Sequence, residues 1–90
     1  MSDVIYRNRE FIILKKKKGF IIVNTNKEFE NGHTHIKFYN IAKTLINLAK
    51  RSKLPKTKNS YILESLIRIS NDKNYIKSLE EMKNGKVLCS

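Results

Sequence analysis

The chain has 90 residues, a hydrophobic share of 40% and a formal net charge of +11, from 19 Lys and Arg against 8 Asp and Glu. A chain of this length buries roughly 60% of its unfolded surface, enough for one compact core but little material for a deep catalytic cleft. Its single cysteine, Cys89, excludes an intrachain disulfide, and neither "MSDVIYRNREF" nor the short runs "FIIL" and "FIIV" has the length of a signal-peptide core or a bilayer span. The expectation is one domain over residues 1–90, cytoplasmic and not in a membrane.

The charge is uneven. Residues 1–60 hold fourteen Lys and Arg against four acids, whereas residues 61–90 hold five against four. A Lys/Asn/Ile codon bias of an AT-rich genome would have raised lysine in both parts. An excess confined to the first two thirds points to a polyanion, either nucleic acid (DNA or RNA) or an acidic protein surface.

Taken in chain order, the predicted sheet covers about residues 4–37 and brings Arg7 and Arg9 with it. "EFIILKKKKGFIIVNT" predicts a β-hairpin: Phe11 to Leu14 and Phe20 to Val23 are β-branched and aromatic runs of strand length. Between them Lys15, Lys16, Lys17, Lys18 and Gly19 predict a loop longer than two residues, with the ammonium groups projecting together. A solvated turn that discourages edge pairing is the plain reading of the four lysines. The functional reading is a basic finger that contacts phosphates. Neither run alternates, so both faces of the sheet are apolar and each needs cover, from helices or from a second copy of the chain in a homodimer. "KKGF" lacks the second glycine–aromatic element of the common RNA-binding sheet, so Phe11 and Phe20 are read as core.

Asn31-Gly32 predicts a turn, with a short strand piece at Glu28-Phe29 before it and a third strand over about 33–37 after it. His33 and His35 share one face of that strand. Two imidazoles are too few ligands for zinc, so no metal and no cofactor is expected. The pair is read as structural before it is read as lining a phosphate site.

Asn40 is the expected N-cap of a helix over about 41–52, which Leu54-Pro55 terminates. "KRSKLPKTK" contains Lys50, Arg51, Lys53, Lys56 and Lys58 and no acid. Its plain reading is a cationic helix end; its functional reading is phosphate contact, with strong salt dependence. Ser60 is the expected cap of a broadly apolar helix over about 60–70. Asn71 or Asp72 caps a third helix over about 72–84, Gly85 stops it, and "KVLCS" is left as a tail or an added strand. The connection through Pro55 is too long for a helix-turn-helix.

The fold class is therefore α+β: an N-terminal antiparallel sheet of about three strands, followed by three helices packed on it. No phosphate loop, nucleophile–base order or paired carboxylates appears, which argues against an enzyme. The function that fits is a small basic protein contacting the phosphate backbone through Arg7, Arg9, Lys15 to Lys18 and Lys50 to Lys58. The alternative is a protein-binding inhibitor or adaptor, of the kind a phage or mobile element encodes, that docks on the acidic, nucleic-acid-facing surface of a partner.

Overall fold

Four strands and three helices form in a computed structural model that describes residues 3–56 and 59–85. They are β1 (Val4–Asn8), β2 (Phe11–Lys16), β3 (Gly19–Asn24), β4 (His33–Ile36), α1 (Tyr39–Arg51), α2 (Ser60–Ile69) and α3 (Lys73–Lys83). The sheet is an antiparallel meander in the order β1-β2-β3-β4, so it has four strands where the sequence predicts about three. The additional strand is β1, the segment that carries Arg7. Glu28-Phe29 is turn and not strand.

The register sorts the side chains. Tyr6, Ile13, Ile22 and Thr34 lie in one cross-strand row, and Arg7, Ile12, Val23 and His33 in the next. Adjacent rows point to opposite faces. The first row and its equivalents face the helices: α1 and α2 lie across β3 and β4, and α3 packs on α2. Phe11, Ile13, Ile22 and Ile36 meet Leu45, Ile46, Leu63, Leu66, Ile69 and Leu79 in one core. Each such side chain contributes about 1.5–3 kcal/mol by leaving water. Val4, Ile12, Leu14, Ile21 and Val23 line the other face, on which none of the three helices lies.

The β2–β3 turn is tighter than the sequence predicts. Lys16 pairs with Gly19, leaving only Lys17 and Lys18 between the strands. Neither has positive φ; that conformation falls on Gly19, at +128°. A Cβ at Gly19 would stand 2.9 Å from the Ile36 carbonyl oxygen, so the turn lies close against the end of β4.

At the opposite end of the sheet one buried amide ties three segments together. Asn24, the last residue of β3, is 0% exposed. Its Nδ2 donates to the Ile69 carbonyl at 2.8 Å and to Asn71 Oδ1 at 2.7 Å, while its Oδ1 accepts from the Asn26 amide at 2.9 Å. Asn71 Nδ2 in turn donates to Glu10 Oε2 at 2.6 Å. Lys27 Nζ reaches the Arg68 and Ser70 carbonyls at 3.0 and 3.1 Å, a cation on the C-terminus of α2. Burial, and then the charge of Arg68, lowers the Lys27 pKa.

The helix caps differ in detail from those read in sequence. α1 starts at Tyr39 with Phe38 as N-cap and no side-chain cap, so Asn40 lies inside the helix. Its start is set by packing, since Tyr39 packs at a tilt against Phe20 at 5.5 Å and meets Tyr6 edge-on at 6.4 Å. α2 is capped by Asn59 and not Ser60, through Asn59 Oδ1 and the Tyr61 amide at 2.8 Å. α3 is capped by Asp72, as expected. The "KVLCS" segment, residues 86–90, lies outside the described residues.

The edge of β4 is closed by α2. Arg68 Nε donates to the His33 carbonyl at 2.7 Å, and the Tyr61 hydroxyl donates to the His35 carbonyl at 2.6 Å. Both oxygens point away from β3, so the acceptors a further strand would use are already taken.

Two substitutions test these assignments. Asn24→Ala strands the Ile69 carbonyl and the Asn26 amide. It is expected to cost about 3 kcal/mol, read as a fall of roughly 12–24 °C in Tm. Gly19→Ala places a Cβ in a backbone conformation L-residues avoid and against the β4 backbone; the expected loss is about 1–3 kcal/mol in urea denaturation.

Candidate functional site

A trough runs from the lysine turn, around the end of β4, to the connection between α1 and α2. Its first section, about 300 Å³, is lined by Lys16, Lys18, His35, Lys37 and Tyr61 with Phe20 and Ile36 beneath. The middle section, about 500 Å³, shares Ile36, Lys37 and Tyr61 and adds Phe38, Ile41, Asn59 and Ile62. The last, about 450 Å³, shares Ile41 and Ile62 and lies between the Ile41–Leu48 side of α1 and the segment Lys53 to Lys56. Among the described residues, the lining of all three sections holds five lysines and no Asp or Glu.

The chain reversal after α1 creates the last section. Ser52 adopts the left-handed conformation (φ 50°, ψ 43°). Its amide donates to the Ala49 carbonyl at 3.3 Å and the Lys53 amide to the Leu48 carbonyl at 3.0 Å. This is a Schellman turn, here built on serine instead of the usual glycine. It sends Lys53, Leu54, Pro55 and Lys56 back along α1, the buried Pro55 serving as the inward anchor. The Tyr75 hydroxyl of α3 donates to the Lys53 carbonyl at 2.7 Å and fixes the start of the return.

The trough is open, and its apolar side chains are exposed: Phe38 by 62%, Tyr61 by 49%, Leu54 by 40% and Ile41 by 37%. α1 begins beside it, with neither a side-chain cap nor an acid in its first turn. The helix dipole therefore adds to the positive field there.

The structure brings together some of the residues predicted from sequence and separates others. Lys16, Lys18, Lys53 and Lys56 share the trough. Lys17 sits exposed at the apex of the turn. Lys15 points the other way, its Nζ 4.8 Å from the centre of the Phe20 ring. On that side Lys43 lies 5.4 Å from both Tyr6 and Tyr39. Arg7 is on the outer face of β1, and Arg9 occupies the β1–β2 turn at φ 57°. That turn is at the far end of β2 from the lysines, roughly 17–20 Å away at the rise of an extended strand, so Arg9 is not part of one patch with Lys17. Lys50 and Arg51 form the last turn of α1, where cations suit the helix dipole, and do not line the trough. Lys58 lies outside the described residues.

Three trough residues were not singled out from the sequence: Lys37, Phe38 and Tyr61. The adjacent aromatics in "IKFYN" are the one available signal. Only one of two neighbours at a helix start can turn inward, and once Tyr39 packs on Phe20, Phe38 is left outside.

His33 is engaged locally. Its ring stacks on Phe29 at 4.2 Å, its Nδ1–H donates to the Phe29 carbonyl, and it meets His35 edge-on at 5.2 Å. Among the described residues no three His, Cys, Asp or Glu side chains come together as a metal site would require. Among them, too, no helix is long and apolar enough to cross a membrane.

The anchor on Lys53 has a pH signature. Burial pushes the Tyr75 phenol up from 10.0 to about 12. A folded-state pKa raised above the unfolded value means a contribution that is whole below pH 10 and lost as pH rises towards 12. Tyr75→Phe is therefore expected to be less stable than the parent by about 1 kcal/mol at neutral pH. In urea denaturation that difference narrows between pH 10 and pH 12.

No protein-family model, curated protein or solved structure matches this chain.

Proposed function

We propose that this protein binds nucleic acid without acting on it chemically, with Lys16, Lys18, Lys37, Lys53 and Lys56 contacting phosphates along the trough. The observation that carries this reading is the lining itself, which among the described residues holds five lysines and no acid, Asp72 lying beyond Leu54 outside it. Lysine is a compact point charge on a flexible stem, suited to backbone contact and poor at bidentate reading of bases. The interaction is accordingly governed by counterion release and shows little preference for sequence.

The outer face of the sheet favours a second reading, docking on a partner protein. Val4, 46% exposed, continues into the half-buried Leu14 and Ile12, with Arg7 and Lys16 on the same face. An adaptor of this kind gives a discrete complex in pull-down that survives nuclease.

Five phosphate contacts predict a slope of log K against log salt of about −3.5 to −4.5, hence roughly a 100- to 500-fold loss of affinity between 50 and 200 mM salt. Fluorescence anisotropy with a labelled oligonucleotide measures it. The double substitution Lys16→Ser, Lys18→Ser flattens the slope by about 2, and Arg9→Ser leaves it unchanged. Absence of binding at 50 mM salt rejects the proposal.

A further inference from the structure

We infer that the nucleic acid this trough accommodates is single-stranded, with unpaired bases stacking on Phe38 and Tyr61; the inference rests on the nucleic-acid reading above. Both rings line the middle section, flanked by Lys16, Lys18 and Lys37 on one side and Lys53 and Lys56 on the other. Exposed aromatic rings between cationic groups match the alternation of base and phosphate along an unpaired strand. A duplex keeps its base faces inside the stack and presents only edges and backbone, which would leave the two rings without partners.

The Tyr61 ring and the backbone that carries Phe38 are held in place before any ligand arrives. Tyr61 is tethered by its hydroxyl to the His35 carbonyl at 2.6 Å. Phe38 is the extended N-cap residue of α1 (φ −120°, ψ 134°), and its carbonyl accepts from the Ala42 amide at 3.1 Å, so its backbone is fixed between β4 and the helix. An aromatic platform fixed in this way loses little conformational entropy on binding.

The structure also removes the feature that a duplex reader would need. The sequence allows the four lysines to be read as the tip of a projecting two-stranded finger. Instead β1 pairs with β2 as far as Leu14, β4 pairs with β3 as far as Phe20, and the turn beyond them is two residues long. On the β4 side the turn lies against the Ile36 carbonyl and does not project as a free-standing finger. Among the described residues the trough lining contains no arginine or glutamine, and the side-chain oxygen of Asn59 is committed to capping α2. Stacking without reading of base edges is therefore the available mode.

The test compares three probes by anisotropy with the full chain at 100 mM salt: a 15-nucleotide oligo(dT), an abasic strand of the same length, and a 15-base-pair duplex. The expected result is that oligo(dT) binds at least tenfold tighter than either of the others. Phe38→Ala and Tyr61→Ala each weaken oligo(dT) by roughly 5- to 150-fold and leave the abasic strand unaffected, while Tyr61→Phe, which keeps the ring, stays within about threefold of the parent. Phe38 is 62% exposed, so its truncation leaves the core intact, and a thermal melt verifies this. Equal binding of oligo(dT) and the abasic strand, or no effect of Phe38→Ala on oligo(dT), overturns the single-strand inference while the lysine-based reading stands. Failure of all three probes to bind overturns both.

Discussion

The fold depends on the carboxamide of Asn24. It sits in a fully dehydrated position at the end of a central strand, where an unpaired amide is costly, and it is satisfied only if three separate segments arrive together: the loop after β3, the end of α2 and the start of α3. Apolar packing alone is tolerant of small shifts of a helix over a sheet. A buried amide with fixed donor and acceptor directions is not, so it selects the single placement of α2 in which Ile69 and Asn71 both reach it. With α2 placed, Tyr61 at its other end necessarily lies beside His35 and the lysine turn.

The molecule therefore has two dissimilar ends. One is bound together by side chains that bridge loops: Asn24, Asn71 with Glu10, and Lys27 on the α2 carbonyls. The other collects Lys16 and Lys18 from the hairpin and Lys37 just after β4, and among the described residues no Asp or Glu lines it; the return segment after α1 runs between the two ends, with Ser52 and Leu54 beside Asp72. Like charges gathered in this way repel and oppose folding. The cohesive end offsets that cost, and a bound polyanion would remove it. The same division explains why Arg9 stands apart from the lysines. In a meander, consecutive turns lie at opposite ends, so recognising β1 as a strand already separates Arg9 from Lys17.

Much of the architecture was legible in local chemistry. Phe11 to Leu14 and Phe20 to Val23 announce a hairpin because their branched and aromatic side chains have few other stable arrangements, and the three helices follow from apolar spacing. β1 was harder to count because it is short and Val4 and Ile5, its apolar residues, stay 46% and 42% exposed. The sequence overstates the length of the turn because lysine is a poor marker of strand, yet Lys15 and Lys16 continue β2 once Gly19 absorbs the positive φ. Of the trough, the lysines were visible and their meeting place was not. That depends on a reversal at Ser52, a residue that carries no local signal for a left-handed turn, and on the Tyr75 hydroxyl holding Lys53 from an element some twenty residues further on.

The arginine and tyrosine that α2 lays along β4 also limit how copies of this chain can associate. A sheet that presents two open borders is able to add neighbours indefinitely, which is the geometry of a fibre. Here the His33 and His35 carbonyls on one border are occupied from within the molecule, so strand addition has only the β1 side from which to proceed. Growth through that side is self-limiting: two chains joined there consume each other's remaining border, and a third finds nowhere to attach.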